Sequence, residues 1–388
     1  MVSSIRPTTI SSTETPRCPN GLFNFDEGVL VEDADEEIME LYMSLASVSS
    51  DKSMKDTDPH SGGLGFLNSN ESVLEITIDL SPPTLTFDDV KLKLDKRSKR
   101  KYKNSSLNST TGNTANESIS VKIQQDLGML KGPKGDTGSI LWRSSLYLST
   151  ILLRQYHQPS TGGVDIPILD LETLKSASVL ELGSGTGLLS VLLSRICKVF
   201  TASDRLENLK LVKRNLGLNG ISIVGDVSSK EDAKLSNKSS SKGKQEMKHV
   251  NGSVNIEEID WIAVSEERKR HPESWLLPSP NDIIAKDENH DNGNSRKQQY
   301  DMILAVDCIY NEHLVQPLVD TFGKYCPRGG KTVIWVVIEL RSADVLTLFL
   351  ETWMNDPSGP WTIVRLSEKS MGNWDGKKAR WVGWVGWR

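Results

Sequence analysis

A glycine-rich turn and an acidic residue one strand later are the features of this sequence best suited to chemistry. Residues 181–187 (ELGSGTG) lie between two short apolar stretches, and Asp204 ends the next predicted strand, 21 residues after Gly183. Glycines let the backbone turn sharply and approach a ligand, and the helix beyond offers free N–H groups. A carboxylate placed like Asp204 accepts hydrogen bonds from both ribose hydroxyls, each worth about 1.5–3 kcal/mol. The pattern predicts a site for a nucleoside-containing cofactor.

The spacing of the glycines separates two classes of cofactor. Dinucleotide sites follow G-x-G-x-x-G, whereas here the third glycine comes one residue early, at Gly187. The E-x-G-x-G-x-G form resembles that of class I methyltransferases, whose cofactor S-adenosylmethionine has no pyrophosphate. The alternative is that these residues bind no cofactor and form only a tight turn, with Asp204 a solvated loop residue. The residues expected to contact S-adenosylmethionine in these two segments are Glu181, Gly183, Ser184, Gly185 and Asp204.

Two more strand ends are expected to border the same cofactor. Trp261 is predicted to end the third strand, where an indole can stack on the adenine, although tryptophan is often only core packing. Ala305 lies near the end of the fourth strand, where its small side chain would let the backbone approach the ligand.

Asp307 and Tyr310 leave the fourth strand beside the expected methyl group. A lysine has a pKa near 10.4, so presenting its neutral amine at pH 7 costs about 4.6 kcal/mol. We expect Asp307 or Tyr310 to orient such an amine and help remove its proton. The alternative is that Asp307 caps a helix and Tyr310 is packing. The Pro-Pro-aromatic turn of DNA amino-methylating enzymes is missing, which disfavours a DNA substrate.

The elements that position these residues alternate between strand and helix. Strands are predicted at 179–182, 199–204, 256–261, 301–306, 331–338, 361–366 and 379–387, and helices at 188–196, 206–219, 312–325 and 342–354. This order predicts an α/β fold with a doubly wound, mainly parallel, seven-stranded Rossmann-like sheet. The tryptophans at positions 381, 384 and 387 fit neither a strand nor a helix period.

The N-terminal part predicts an extension to this sheet. It contains a short helix around 38–45, two strands at 73–80 and 118–126 that suit a β-hairpin, and a helix at 144–156. Four polar stretches, 46–72, 81–117, 221–253 and 264–299, are predicted to be disordered. We therefore expect an extension over 1–138 and one methyltransferase domain over 139–388 with long insertions.

Composition restricts the class of protein. The chain has 388 residues, a net charge of −5 and four widely spaced cysteines. This balance lacks the basic footprint of a nucleic-acid binder, and neither a disulfide framework nor a metal site is indicated. No signal peptide or membrane segment is apparent, so we expect a soluble protein of the cytoplasm, with the nucleus as a second location. The oligomeric state is open, and a monomer is compatible with the sequence.

The chain resembles methyltransferase family 16, the seven-strand protein-lysine methyltransferases. The resemblance lies in residues 139–142 (SILW), 181–187, Asp260-Trp261 and the D-x-x-Y of Asp307 and Tyr310. Residues 73–77, 137–142, 307–312 and 340–351 are most similar to a fungal group that methylates ribosomal lysines. The resemblance implies that Trp142 and Trp261 line the cofactor pocket and that Asp307 and Tyr310 mark the lysine channel. It also implies a large-subunit ribosomal protein as substrate, with an elongation factor, an ATPase or a nucleic acid as alternatives. A cofactor-binding module without catalysis is a further possibility of another class.

Overall fold

A computed structural model describes residues 16–49, 65–68, 70–80, 90–92, 118–131, 137–157, 167–225, 253–275, 299–368, 370–371 and 381–388. Its strands, numbered in chain order, are β1 Val29–Leu30, β2 Val73–Asp79, β3 Val90–Leu92, β4 Ser118–Gln124, β5 Ser178–Leu182, β6 Val199–Asp204, β7 Ser222–Ile223, β8 Ser253–Glu258, β9 Met302–Val306, β10 Val333–Glu339, β11 Thr362–Arg365 and β12 Trp381–Trp387. Its helices are α1 Ala34–Ser49, α2 Leu127–Lys131, α3 Arg143–His157, α4 Leu171–Ser176, α5 Leu188–Leu193, α6 Leu206–Leu218, α7 Trp261–Arg270, α8 Glu312–Tyr325 and α9 Ala343–Met354. None of these helices is long and apolar enough to span a membrane.

The central sheet confirms the predicted α/β architecture. Its strand order is β1-β11-β12-β10-β9-β5-β6-β8-β7. Strands β7, β8, β6, β5, β9 and β10 run parallel to one another. Strand β12 lies between β10 and β11 and is antiparallel to both. The seven strands from β11 to β8 are the predicted ones, and the two-residue strands β1 and β7 extend the sheet to nine. Order reverses between β5 and β9, which is where such sheets bind ligands.

The tryptophan spacing of β12 is explained by burial on both faces. A spacing of three places consecutive tryptophans on opposite faces of a strand. Trp381 therefore packs in the core on one face and Trp384 in the core on the other. A Cβ added at Gly386 would lie 2.3 Å from the ring of Trp353, so the glycine makes room for a neighbouring indole.

The N-terminal part forms a second sheet of order β3-β2-β4. Strands β2 and β4 pair antiparallel over seven residues, as predicted for the hairpin. The prediction of disorder over 81–117 was wrong at β3, which pairs with β2. The N-terminal elements also reach the central sheet, because β1 pairs with β11 and Trp384 donates a hydrogen bond from Nε1 to Glu37 of α1 at 2.8 Å.

Sequence patterns misplaced the third strand and the segment after it. The strand β8 covers Ser253–Glu258, not 256–261, and Asp260 accepts hydrogen bonds from the Ile262 and Ala263 amides as the N-cap of α7. Helix α7 and the turn Pro272–Trp275 occupy part of the stretch predicted to be disordered at 264–299. Likewise, residues 46–49 belong to α1, and residues 65–68, 70–72 and 221–225 are described, whereas the rest of the predicted disordered stretches lies largely outside the described residues.

Helix α7 is held by a buried ion-pair network that an apolar pattern does not reveal. The Arg268 guanidinium lies 2.7 Å from Asp320 of α8 and 2.7 Å from Asp356 after α9. All three side chains are largely buried. The network therefore fixes the helix that follows the third parallel strand.

Replacing Arg268 by methionine should destabilise the fold by about 3–5 kcal/mol, because two buried carboxylates lose their counter-charge. Urea unfolding measures the loss. The control is Arg270→Met on the same helix, where the pair with Glu266 is exposed and should change stability by less than about 1 kcal/mol. Equal effects of the two substitutions would contradict the assignment.

Candidate functional site

A cavity of about 680 Å³ opens at the carboxyl ends of β5, β6, β8 and β9. Its wall includes eight of the ten residues predicted for the site, which are Trp142, Gly183, Ser184, Gly185, Asp204, Trp261, Asp307 and Tyr310. Glu181 and Ala305 are not part of the wall. The volume suits a cofactor-sized ligand.

The glycine turn has the backbone conformation that its sequence requires. Gly183, Gly185 and Gly187 have φ values of 69°, 54° and 78°, which favour glycine. A Cβ at Gly183 would lie 3.2 Å from both the Cys308 sulfur and the Trp261 ring, and one at Gly185 would lie 3.0 Å from the Gly138 carbonyl. Side chains here would therefore displace the neighbouring walls of the cavity.

Asp204 connects the end of β6 to this turn. Its Oδ2 accepts the Gly185 amide at 2.8 Å, and its Oδ1 accepts the Arg205 amide and the Asn208 Nδ2 at 2.8 and 2.9 Å. Burial raises the pKa of Asp204, against the lowering effect of these hydrogen bonds. The carboxylate thus supports the loop and still presents acceptor capacity to the cavity, since each oxygen has two lone pairs.

An unsatisfied acceptor tests whether the cavity fits S-adenosylmethionine. The Oδ1 atom of Asn208 is buried in the cavity wall and has no hydrogen-bond partner among the described residues. Buried polar atoms are rarely left unpaired in folded proteins. A ribose hydroxyl beside Asp204 would satisfy Asn208, so the residues present fit an adenosyl group.

Two predicted cofactor residues lie behind the wall. Glu181 is 3% exposed and accepts a hydrogen bond from the Ser190 hydroxyl at 2.9 Å. Ala305 is fully buried within β9, where it is paired with Leu182. Both therefore support the loop and sheet from behind the cavity wall.

The environment of Glu181 predicts a pH-dependent stability. Burial raises the pKa of Glu181 from 4.5 to about 7, while the hydrogen bond from Ser190 opposes the rise. The unfolded chain then loses this proton at lower pH than the folded protein, so stability falls as pH rises from about 4.5 to about 7. Glu181→Gln should remove this loss, so the free energy of unfolding of the variant relative to wild type should rise by about 2 kcal/mol from pH 5 to pH 8. Urea unfolding at pH 5 and at pH 8 measures this difference. A difference that is the same at both pH values would contradict the raised pKa of Glu181.

Trp261 lies in the cavity wall, although not at a strand end. It is the first residue of α7, and its indole packs beside Gly183. Trp261 was predicted at this site from a wrong strand boundary, and it lies there as the first residue of the helix that Asp260 caps.

At the other end of the cavity, Asp307 is engaged by an arginine. Arg341 Nη1 and Nη2 lie 2.7 and 2.6 Å from its two carboxylate oxygens, and the Ser144 hydroxyl donates to Oδ2 at 2.8 Å. Asp307 has a φ of 58°, which is uncommon for a residue other than glycine. Its carboxylate is thus held within the protein, which disfavours the predicted role as a free proton acceptor.

Aromatic rings border the cavity beside this ion pair. Trp142 and Tyr310 stack with centroids 6.4 Å apart and planes inclined by 24°. The Phe66 ring packs against the Trp142 ring with their centroids 4.6 Å apart, and the Arg341 guanidinium carbon lies 4.8 Å from the Trp142 ring centroid. Tyr310 is 45% exposed, so it is the accessible member of the cluster. A flexible alkyl side chain that ends in a cation would find both apolar and π surfaces here.

Sequence reasoning missed several residues of the site because their partners are distant in the chain. Arg341 lies 34 residues from Asp307, and Phe66 reaches Trp142 from a segment predicted to be disordered. Asn208 and Cys308 also belong to the wall. The signal available for Arg341 was its place in a stretch that carried the family resemblance.

The strand order, the glycine turn and the acidic end of β6 together define a class I methyltransferase. The sequence profile of a family described as lysine methyltransferase matches residues 117–233 and 283–352. The chain is similar to this family, methyltransferase family 16, over these two segments, and S-adenosylmethionine is the cofactor that the site fits.

Curated relatives cover most of the chain. "Ribosomal lysine N-methyltransferase 5" of Kluyveromyces lactis is 26% identical over 339 residues, covering 81% of this chain and 87% of the relative. The protein of the same name from Candida glabrata is 24% identical, covering 86% and 91%. "Diaminohydroxyphosphoribosylamino-pyrimidine deaminase" of Schizosaccharomyces pombe is 27% identical over 60% of this chain, which spans only 41% of that protein.

Among solved structures, the fibrillarin pre-rRNA processing protein of Methanococcus jannaschii aligns with a TM-score of 0.31 and 13% identity. The alignment covers 69% of this chain and 89% of that one. A TM-score this low adds nothing to the fold assignment, which depends on the strand order and the family profile.

Proposed function

We propose that this protein transfers a methyl group from S-adenosylmethionine to a lysine of a large-subunit ribosomal protein. The observation that carries the lysine acceptor is the accessible Tyr310 ring stacked on Trp142 beside the strand end that bears Asp307. The ribosomal target is supported by the names of two relatives that align over 81% and 86% of the chain.

The cavity offers this acceptor what methyl transfer requires. S-adenosylmethionine supplies the methyl group as a sulfonium, and transfer is an in-line displacement in which positioning provides much of the rate. The rings of Trp142 and Tyr310 would hold the alkyl stem of the lysine. A partly desolvated channel disfavours the charged ammonium form of the lysine, which promotes the neutral amine that must attack.

Three alternative functions would give other results in a methyl-transfer experiment. The first is methylation of another protein, such as an elongation factor or an ATPase. The second is methylation of a nucleic acid, which the acidic composition of the chain disfavours. The third is an assembly module that binds the cofactor without catalysis. A ribosomal substrate also places the protein in the cytoplasm or the nucleus.

The decisive experiment is transfer of a radiolabelled methyl group into extract from cells that lack this protein. We expect one labelled band of ribosomal-protein size, with methyl-lysine identified by mass spectrometry, and no band with the Asp204→Asn variant. Label in a different protein would overturn the ribosomal target, and label only in RNA would overturn the lysine acceptor. Cofactor binding without any transfer would support the assembly module.

A further inference from the structure

Helix α6 presents two asparagines, one turn apart, to the open edge of β4. The Lys122 amide donates to Asn219 Oδ1 at 2.9 Å, and Asn219 Nδ2 donates to the Lys122 carbonyl at 2.7 Å. Asn215 makes the same pair of bonds with Gln124, at 2.8 and 2.9 Å. The two amides thus satisfy the edge of β4 as a neighbouring strand would.

Asn215 differs from Asn219 in the acceptor of its second amide hydrogen. The Nδ2 of Asn215 also donates to the Thr186 carbonyl of the glycine turn at 2.8 Å, whereas the Nδ2 of Asn219 donates to the Asn215 carbonyl at 2.8 Å. Asn215 is fully buried, and both of its amide hydrogens are used. A rigid side chain therefore connects the edge of the N-terminal sheet to the loop that borders the cavity.

The same strand edge leads to the opposite wall of the cavity. Gln125, directly after β4, accepts the Leu141 amide on Oε1 at 2.8 Å. The Asp126 amide donates to the Ser139 carbonyl at 3.0 Å, next to Gly138, whose carbonyl faces Gly185. The end of β4 thus contacts both walls, on one side through Asn215 and on the other through Gln125.

We propose that Asn215 is a positioning residue for S-adenosylmethionine and that it makes the N-terminal sheet part of the cofactor site. The bond to Thr186 sets the separation between the glycine turn and the 137–142 segment. Losing it lets the turn shift relative to Asp204, which weakens cofactor binding without removing any group that touches the cofactor.

The test compares Asn215→Ala with Asn219→Ala in the full chain. Each substitution removes the bonds to β4, and only the first removes the bond to the glycine turn, so both should lower the unfolding temperature. We expect the Kd of S-adenosylhomocysteine, measured by calorimetry, to rise about 10-fold for Asn215→Ala, as one lost hydrogen bond predicts. For Asn219→Ala it should change less than about 2-fold. Asn215→Ser leaves a smaller void and provides the same comparison if the alanine variant does not fold.

A kinetic measurement separates positioning from general damage. For Asn215→Ala, the KM for S-adenosylmethionine should rise while kcat at saturating cofactor stays within about 3-fold of wild type. The proposal rests on the cofactor site, so wild-type binding of S-adenosylhomocysteine is measured first, and its absence would overturn that site. Equal loss of affinity in the two asparagine variants, with wild-type binding intact, would overturn the role of Asn215.

Discussion

Asp204→Asn should weaken binding of S-adenosylmethionine by about 100-fold. This is the effect of losing two charge-assisted hydrogen bonds whose energies lie at the low end of the usual range. The Asp204 oxygens accept bonds from the Gly185 amide, the Arg205 amide and Asn208 Nδ2. An asparagine offers one acceptor oxygen, so its NH₂ group must face at least one of these donors. The substitution therefore disturbs the glycine turn and removes an acceptor for the ribose.

Asp260→Asn is the matched control for this prediction. Asp260 also lies in the cavity wall, so the same charge is removed from the same cavity. Its side chain caps α7, and asparagine caps a helix about as well as aspartate. Calorimetry should show an affinity within about 3-fold of wild type. If both variants lose affinity equally, the cavity senses overall charge and Asp204 has no specific role.

The cofactor half of the site was predictable because its signals are local in sequence. The glycine turn, the following helix and Asp204 lie within one βα unit, so spacing alone places them together. Strands β9 and β10 were recognisable for the same reason, since a strand buried on both faces appears as a continuous apolar run.

The remainder depends on contacts that sequence spacing does not encode. Helix α7 carries the charged run SEERKR and buries Val264, Ser265 and Arg268, so the ion pairs of Arg268 hold it in place of a full apolar stripe. The tryptophans of β12 violate a period of two because both faces of that strand are core. The ion pair of Asp307 was not predictable from spacing, because its partner Arg341 lies just after the next strand, β10.

Breaking the pair of Asp307 and Arg341 should lower kcat by about 100-fold, the typical result of displacing a reacting group by about 1 Å. Asp307→Asn removes the bidentate partner of Arg341 and leaves it only Glu339, and Arg341→Met leaves the buried Asp307 carboxylate without a counter-charge. Either change frees the strained turn that carries Tyr310 and removes a support of the Trp142 ring. The KM for S-adenosylmethionine should change little, because the glycine turn and Asp204 are untouched. Arg341→Lys should not restore kcat, since an ammonium group cannot form the two parallel bonds.

The double variant Asp307→Asn/Arg341→Met separates a structural pair from a proton acceptor. If the pair acts by holding the turn, the double variant is less destabilised than the two single losses added together, because no buried charge is left unpaired. Its kcat then equals that of either single variant within about 3-fold. A proton acceptor at Asp307 predicts the opposite, with Asp307→Asn inactive and Arg341→Met near normal turnover. Because both Asp307 oxygens are bound within the protein, we expect the first result, which leaves solvent to receive the proton of the acceptor amine.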